Sequence, residues 1–201
     1  MFRLSMAGVA CALSLAASPA AAEPYQTFVD TCLATNADRS VAGQGIKAEG
    51  WYAAPPEIIA LFSSDIRDAA MFTNIDLAGL SDKAPPADFE SLVTGWADGD
   101  QTFGISDIYV DICMVFTLGG DASALRARLQ RDLGVAPVEI EEAPAFLFSR
   151  QGDGFRDESA FVDVEDSQVS EMVRTRKVYM AAVIEDEDMI GLLLAAPRAR
   201  D

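Results

Sequence analysis

The side chains with the most specific chemistry in this sequence are two cysteines, Cys32 and Cys113, 81 residues apart. A third, Cys11, falls within residues 1–22, which read as a removable leader. An isolated pair exposed to an oxidising compartment is expected to form a disulfide. Redox-active pairs favour Cys-x-x-Cys spacing with one exposed thiolate, and these two lack it. On the chain-entropy argument, closing a loop of this size stabilises a fold by about 4–5 kcal/mol as an upper figure.

The chain has no histidine. That removes Ser-His-Asp and Cys-His nucleophile activation, imidazole proton shuttling and histidine-containing zinc or iron sites. Gly104-Ile105-Ser106-Asp107-Ile108 fails the nucleophile-elbow pattern at its last position, and no phosphate loop or dinucleotide fingerprint is present. No motif implies a cofactor.

Carboxylates remain, 32 of them. A glycosidase needs two at a set separation, and among so many some pair always satisfies that on paper. Hard cations take carboxylate and carbonyl oxygens. The candidates for cation binding are Asp98 and Asp100, which flank Gly99, and the run Glu185, Asp186, Glu187, Asp188. Asp163-Val164-Glu165-Asp166 is a third acidic stretch. None fits the calcium-loop pattern, Phe103 standing after Asp98 and Asp100 where glycine is required, and solvated turns are the simpler reading for all three. Arg126, Arg128 and Arg131 form one basic cluster and Arg174, Arg176 and Lys177 another, both read as internal ion-pair partners. Gly119-Gly120 before a helix suggests an anion cradle, yet Asp121 at the cap opposes it. Trp51 and Trp96 each follow a glycine and are read as core residues rather than sugar platforms.

The element that positions Cys113 is the stretch Ile105 to Leu118. Ile108, Val110, Ile112, Met114, Phe116 and Leu118 fall on one side of an extended backbone, which predicts a central strand. The element that positions Cys32 is a helix opened by Pro24, with Tyr25, Phe28, Val29, Cys32 and Leu33 at helical spacing. A bridge would clasp this helix to that strand.

Further helices are expected over 40–48, 57–62 and after the Asp121 cap, where Leu125, Leu129 and Leu133 precede Gly134. Strands are expected over 91–97, 138–142 and 145–149, the last two separated by Pro144. A terminal hairpin is expected over 178–184 and 189–196. Residues 65–72 fit helix or strand, 151–158 read as loop, 161–164 as a short strand and 166–174 as a helix.

The pattern predicts an α+β fold: an antiparallel sheet with helices mainly on one face, the N-terminal helix tied to a central strand by a disulfide. One domain is expected over 23–201, with a helical front portion over about 24–72 and a sheet-rich portion over about 89–197.

Residues 1–22 carry Arg3, a short apolar run and an Ala20-Ala21-Ala22 cleavage site, which predicts export and release into the periplasm or medium. A retained membrane anchor is the alternative reading. No later segment reaches the roughly 20 apolar residues of a span. The formal net charge of −17 repels nucleic acid and anionic headgroups. It suits solubility in salt, or a cationic or protein partner.

The opening Phe28-Val29-Asp30-Thr31-Cys32-Leu33, followed by Gly50-Trp51, resembles uncharacterised small exported bacterial proteins with a Phe-x-x-x-Cys helix and then Gly-Trp. The resemblance implies export and a Cys32 helix, and no activity. The function expected from the whole sequence is non-enzymatic binding, with a carboxylate-dependent hydrolase or a calcium-dependent module as alternatives.

Overall fold

A computed structural model of the chain describes residues 24–62, 66–80, 84–100, 107–140, 143–186 and 188–200. The expected leader, Ile105–Ser106 and Glu187 lie outside them. Among the described residues nine strands occur in the order β1 (Tyr52–Ala53), β2 (Arg67–Thr73), β3 (Glu90–Asp98), β4 (Ile108–Leu118), β5 (Val138–Ile140), β6 (Ala143–Gln151), β7 (Gly154–Asp157), β8 (Tyr179–Asp186) and β9 (Met189–Ala199). They form one antiparallel sheet ordered β1-β2-β3-β4-β9-β8-β6-β5, with β7 also paired to β6.

The alternation of β4 is what makes it central. Cys113 and Val115 face one side; Ile108, Val110, Ile112 and Phe116 face the other, and all six are buried. Both edges are occupied: β3 pairs along one side, and β9 runs in register from Ile108–Ala199 to Leu118–Met189 on the other. The terminal hairpin expected from sequence thus supplies the second central strand.

Five helices are described. The first, α1, runs Pro24–Thr27 and continues with π-helical winding through Phe28–Leu33. The others are α2 (Arg39–Ala48), α3 (Pro56–Phe62), α4 (Ala122–Leu133) and α5 (Asp166–Thr175). α1, α2 and α4 cover the Cys113 face, where Phe28, Cys32, Ile46 and Leu129 join Leu92, Val115, Phe146 and Leu192 in the main core. The opposite face carries α3 at one end, through Ile58 and Ile59 against Met71 and Val93. α5 lies towards the other end, against β9. Asp38 and Asp121 cap α2 and α4 as expected of short acceptor side chains, and Gly134 closes α4 at φ 67°.

Several boundaries differ from the sequence expectation for identifiable reasons. Residues 67–73 are strand, with Asp68 at φ 48° marking a bulge between Arg67 and Ala70. Gly95 opposite makes room for it: a Cβ there would collide with Ile66 and lie 3.0 Å from the Arg67 carbonyl oxygen. Pro144 does not separate two strands but lies inside β6 opposite Glu139, near the strand's start, where a missing N–H is tolerated. The expected loop 151–158 is the β6–β7 hairpin, turned at Gly152 with φ 59°. The expected strand 161–164 is a 3₁₀ turn, Ser159–Asp163, whose first N–H donates to Asp157 Oδ1 at 2.7 Å. β1 and β2 place sheet inside the front portion that was expected to be helical.

Candidate functional site

Cys32 and Cys113 are joined in a disulfide, with Cα atoms 5.5 Å apart, clasping α1 to β4. Both cysteines are fully buried, so the bond acts on the fold and presents no reactive sulfur.

The acidic candidates are dispersed. Asp98, at the end of β3, pairs with Arg67 and Arg200. Glu185, Asp186 and Asp188 are exposed at the β8–β9 turn. That turn is almost the length of β4 away, since Asp98 faces Tyr109 and Met189 faces Leu118. Glu185 lies 3.3 Å from Arg126, and the main-chain oxygen of Asp188 accepts from Gly119 N–H at 2.6 Å. Among the described residues no three His, Cys, Asp or Glu side chains are arranged to hold a metal ion.

The basic side chains do converge. A cleft of about 450 Å³ lies where the α1–α2 turn, the β6–β7 hairpin and the segment leading into β8 meet. Arg150, Arg156, Arg176 and Lys177 line it against a single carboxylate, Glu158. A second hollow of about 470 Å³ adjoins it through Asn36 and Lys177, and adds Arg39 and Arg198 with Asp38 and Asp111.

Glu158 is a buried carboxylate, its side chain 4% exposed. Its Oε1 accepts from Ser149 Oγ at 2.7 Å, and its Oε2 lies 3.0 Å from Arg176. Arg156 stands 3.7 Å away. A buried carboxylate persists only when paired and hydrogen-bonded, and these three groups supply that. Glu158 therefore holds Arg156 and Arg176 in place while cancelling only one of their two charges.

Arg150 has a different setting. Its Nε donates to Asn36 Oδ1 at 2.6 Å, its Nη2 donates to the Leu33 carbonyl, and the guanidinium lies 5.4 Å from the Phe155 ring centre. Among the described residues neither Arg150 nor Lys177 has a carboxylate partner. A guanidinium has five N–H donors in a planar fork, and two of those of Arg150 orient it on Asn36 and Leu33. Burial raises the pKa of Tyr179, which also lines the cleft, while the nearby positive charge of Arg150 opposes that rise.

The turn that presents Asn36 is strained. Asn36 and Ala37 sit consecutively in the left-handed region at φ 56° and 60°, and such non-glycine residues cost on the order of 1–3 kcal/mol each. Backbone bonds from Asn36 N–H to Leu33 O and from Ala37 N–H to Cys32 O hold the turn, at 3.2 and 3.0 Å.

Arg198, which lines the neighbouring hollow, also belongs to an aromatic-arginine ladder. Trp96 meets Tyr109 edge-on at 4.9 Å between ring centres, and Arg67 lies 5.2 Å from the Trp96 centre. Arg198 and Arg200 lie 4.7 and 4.5 Å from the Tyr109 centre. Trp96 Nε1–H donates to Asp68, which also pairs with Arg39, and Arg198 bonds both oxygens of Asp111 at 3.0 and 3.1 Å. Each of these arginines has a carboxylate partner, Arg67 and Arg200 sharing Asp98, whereas Arg150 and Lys177 have none among the described residues. In the helical cluster Arg126 pairs with Glu185, and Arg128 and Arg131 share Asp132.

Arg176 and Lys177 were visible in sequence as a basic cluster. Asn36, Arg150, Arg156 and Glu158 were missed, because contacts such as Arg150–Leu33 span 117 residues. Comparison with family models, curated proteins and solved structures finds no match for this chain.

Proposed function

We propose that this is an exported, non-enzymatic binding domain that takes a small anion in the cleft between the α1–α2 turn and the β6–β7 hairpin. The observation that carries this reading is the charge count: four cations line the cleft against one buried carboxylate, in a chain of net charge −17. Unpaired cations held at fixed positions in a concave site favour an anion, and preorganisation lowers the cost of binding it. The sign favours an anionic ligand at this place over the cationic partner that overall charge suggests.

Both Glu158 oxygens are engaged by Ser149 and Arg176, which supports binding over carboxylate-based hydrolysis. The disulfide between Cys32 and Cys113 supports export to an oxidising compartment. No helix among the described residues is long and apolar enough to cross a membrane.

The test is thermal unfolding with inorganic phosphate, against sodium chloride of equal ionic strength. Phosphate is expected to raise Tm in the native protein and not in the Arg150→Ala/Lys177→Ala double variant. Equal phosphate shifts in both proteins would sink the proposal.

A further inference from the structure

Along the Ile108 face of β6 and β8, next to the cleft, lies an apolar cavity of about 290 Å³. Leu147, Phe161, Val169, Val178, Met180 and Pro197 line it, with Glu139 as its one carboxylate. It is half open to solvent, and its volume exceeds the roughly 150 Å³ of apolar space that takes a benzene-sized molecule.

The cavity adjoins the basic cleft. Val178 lines the cavity, and the two residues before it, Arg176 and Lys177, line the cleft. Leu147 lines the cavity, and Ser149 of the cleft is the next residue on the same face of β6, roughly 7 Å further along. Tyr179 borders both. The segment from Glu158 to Val178 wraps the strand ends so that one stretch of chain supplies charged groups to one side and apolar groups to the other.

Resting on the anion-binding reading, we infer that cleft and cavity form one site for a single-chain carboxylate amphiphile, its head on Arg150 and Lys177 and its alkyl tail in the cavity. Glu158 is the template for the head: a carboxylate already held there by a hydroxyl and two guanidinium groups. Glu139, exposed at the cavity, repels a head entering from that end and so fixes the direction of the ligand. Carboxylates match the guanidinium fork, and a tail adds affinity by area buried.

The experiment is calorimetric titration of the native protein with acetate, hexanoate, octanoate and decanoate, each below its aggregation concentration, with decyl phosphate as the alternative head. Each added methylene is expected to tighten Kd by about fourfold until the cavity is full. Val162, which lines the cavity and is 46% exposed, tolerates substitution, so Val162→Asp is expected to abolish the chain-length gain while leaving Tm and the phosphate response of the cleft intact.

If phosphate still binds through Arg150 and Lys177 but affinity is flat from acetate to decanoate, the amphiphile inference falls and the anion reading stands. If affinity rises with chain length but is the same in the Arg150→Ala/Lys177→Ala variant, the head has been misplaced and both fall. Decyl phosphate binding far more tightly than decanoate would overturn the carboxylate assignment.

Discussion

At the scale of single residues, Asn36 does two things that can be separated. Its backbone sits in a strained turn, and its side chain orients Arg150. Glycine relieves the first and deletes the second. Asn36→Gly is therefore expected to leave stability unchanged or raise it by up to about 1 kcal/mol, measured by urea unfolding, while weakening phosphate binding severalfold. A loss of stability with unchanged binding would place the residue's role in the fold alone. Of these site residues only Arg176 and Lys177 carried a readable signal, because they are adjacent in sequence. The others meet through pairing of β6 with β7 and the docking of α1, and no local pattern encodes a guanidinium reaching a carbonyl 117 positions away.

At the scale of elements, the clasp between α1 and β4 is the largest single contribution that can be assigned. Reduction of Cys32–Cys113, or replacement of either cysteine by serine, is expected to cost up to about 4.5 kcal/mol on the loop-entropy argument. The Cys32→Ser/Cys113→Ser double variant should lose little beyond either single one; additive losses would mean each sulfur acts separately. This part of the architecture was legible beforehand. The apolar stripe Tyr25, Phe28, Cys32 and the alternation around Cys113 are local periodicities, and burial enforces both. The hairpin β6–β7 and the 3₁₀ turn after it were misread because Gly152, Asp157 and Ser159 carry turn chemistry without a hydrophobic period.

At the scale of the whole molecule, pH acts through buried phenols as well as surface carboxylates. Burial pushes the Tyr25 hydroxyl well above the usual tyrosine range, with Asp132 adding to the rise and Arg128 and Arg131 opposing it. Tyr179 moves in the same direction. Well below pH 10 both states keep these protons and stability is unaffected. Above it the unfolded chain releases protons that the folded chain retains, so stability falls as pH rises towards the folded-state values. Urea midpoints measured between about pH 9 and pH 11 are expected to fall, and to fall less steeply in Tyr25→Phe. An identical slope in that variant would remove Tyr25 as a cause.

The position of β9 between β4 and β8 has a consequence for how the protein comes into being. Without β9 the sheet is two separate halves, and the facing edges of β4 and β8 carry unpaired amides and carbonyls. Truncation before that strand would leave a sticky, incomplete product rather than a smaller native one. Assembly of the sheet must wait for β9, and the two halves can close on each other only when that strand is there to be gripped from both sides.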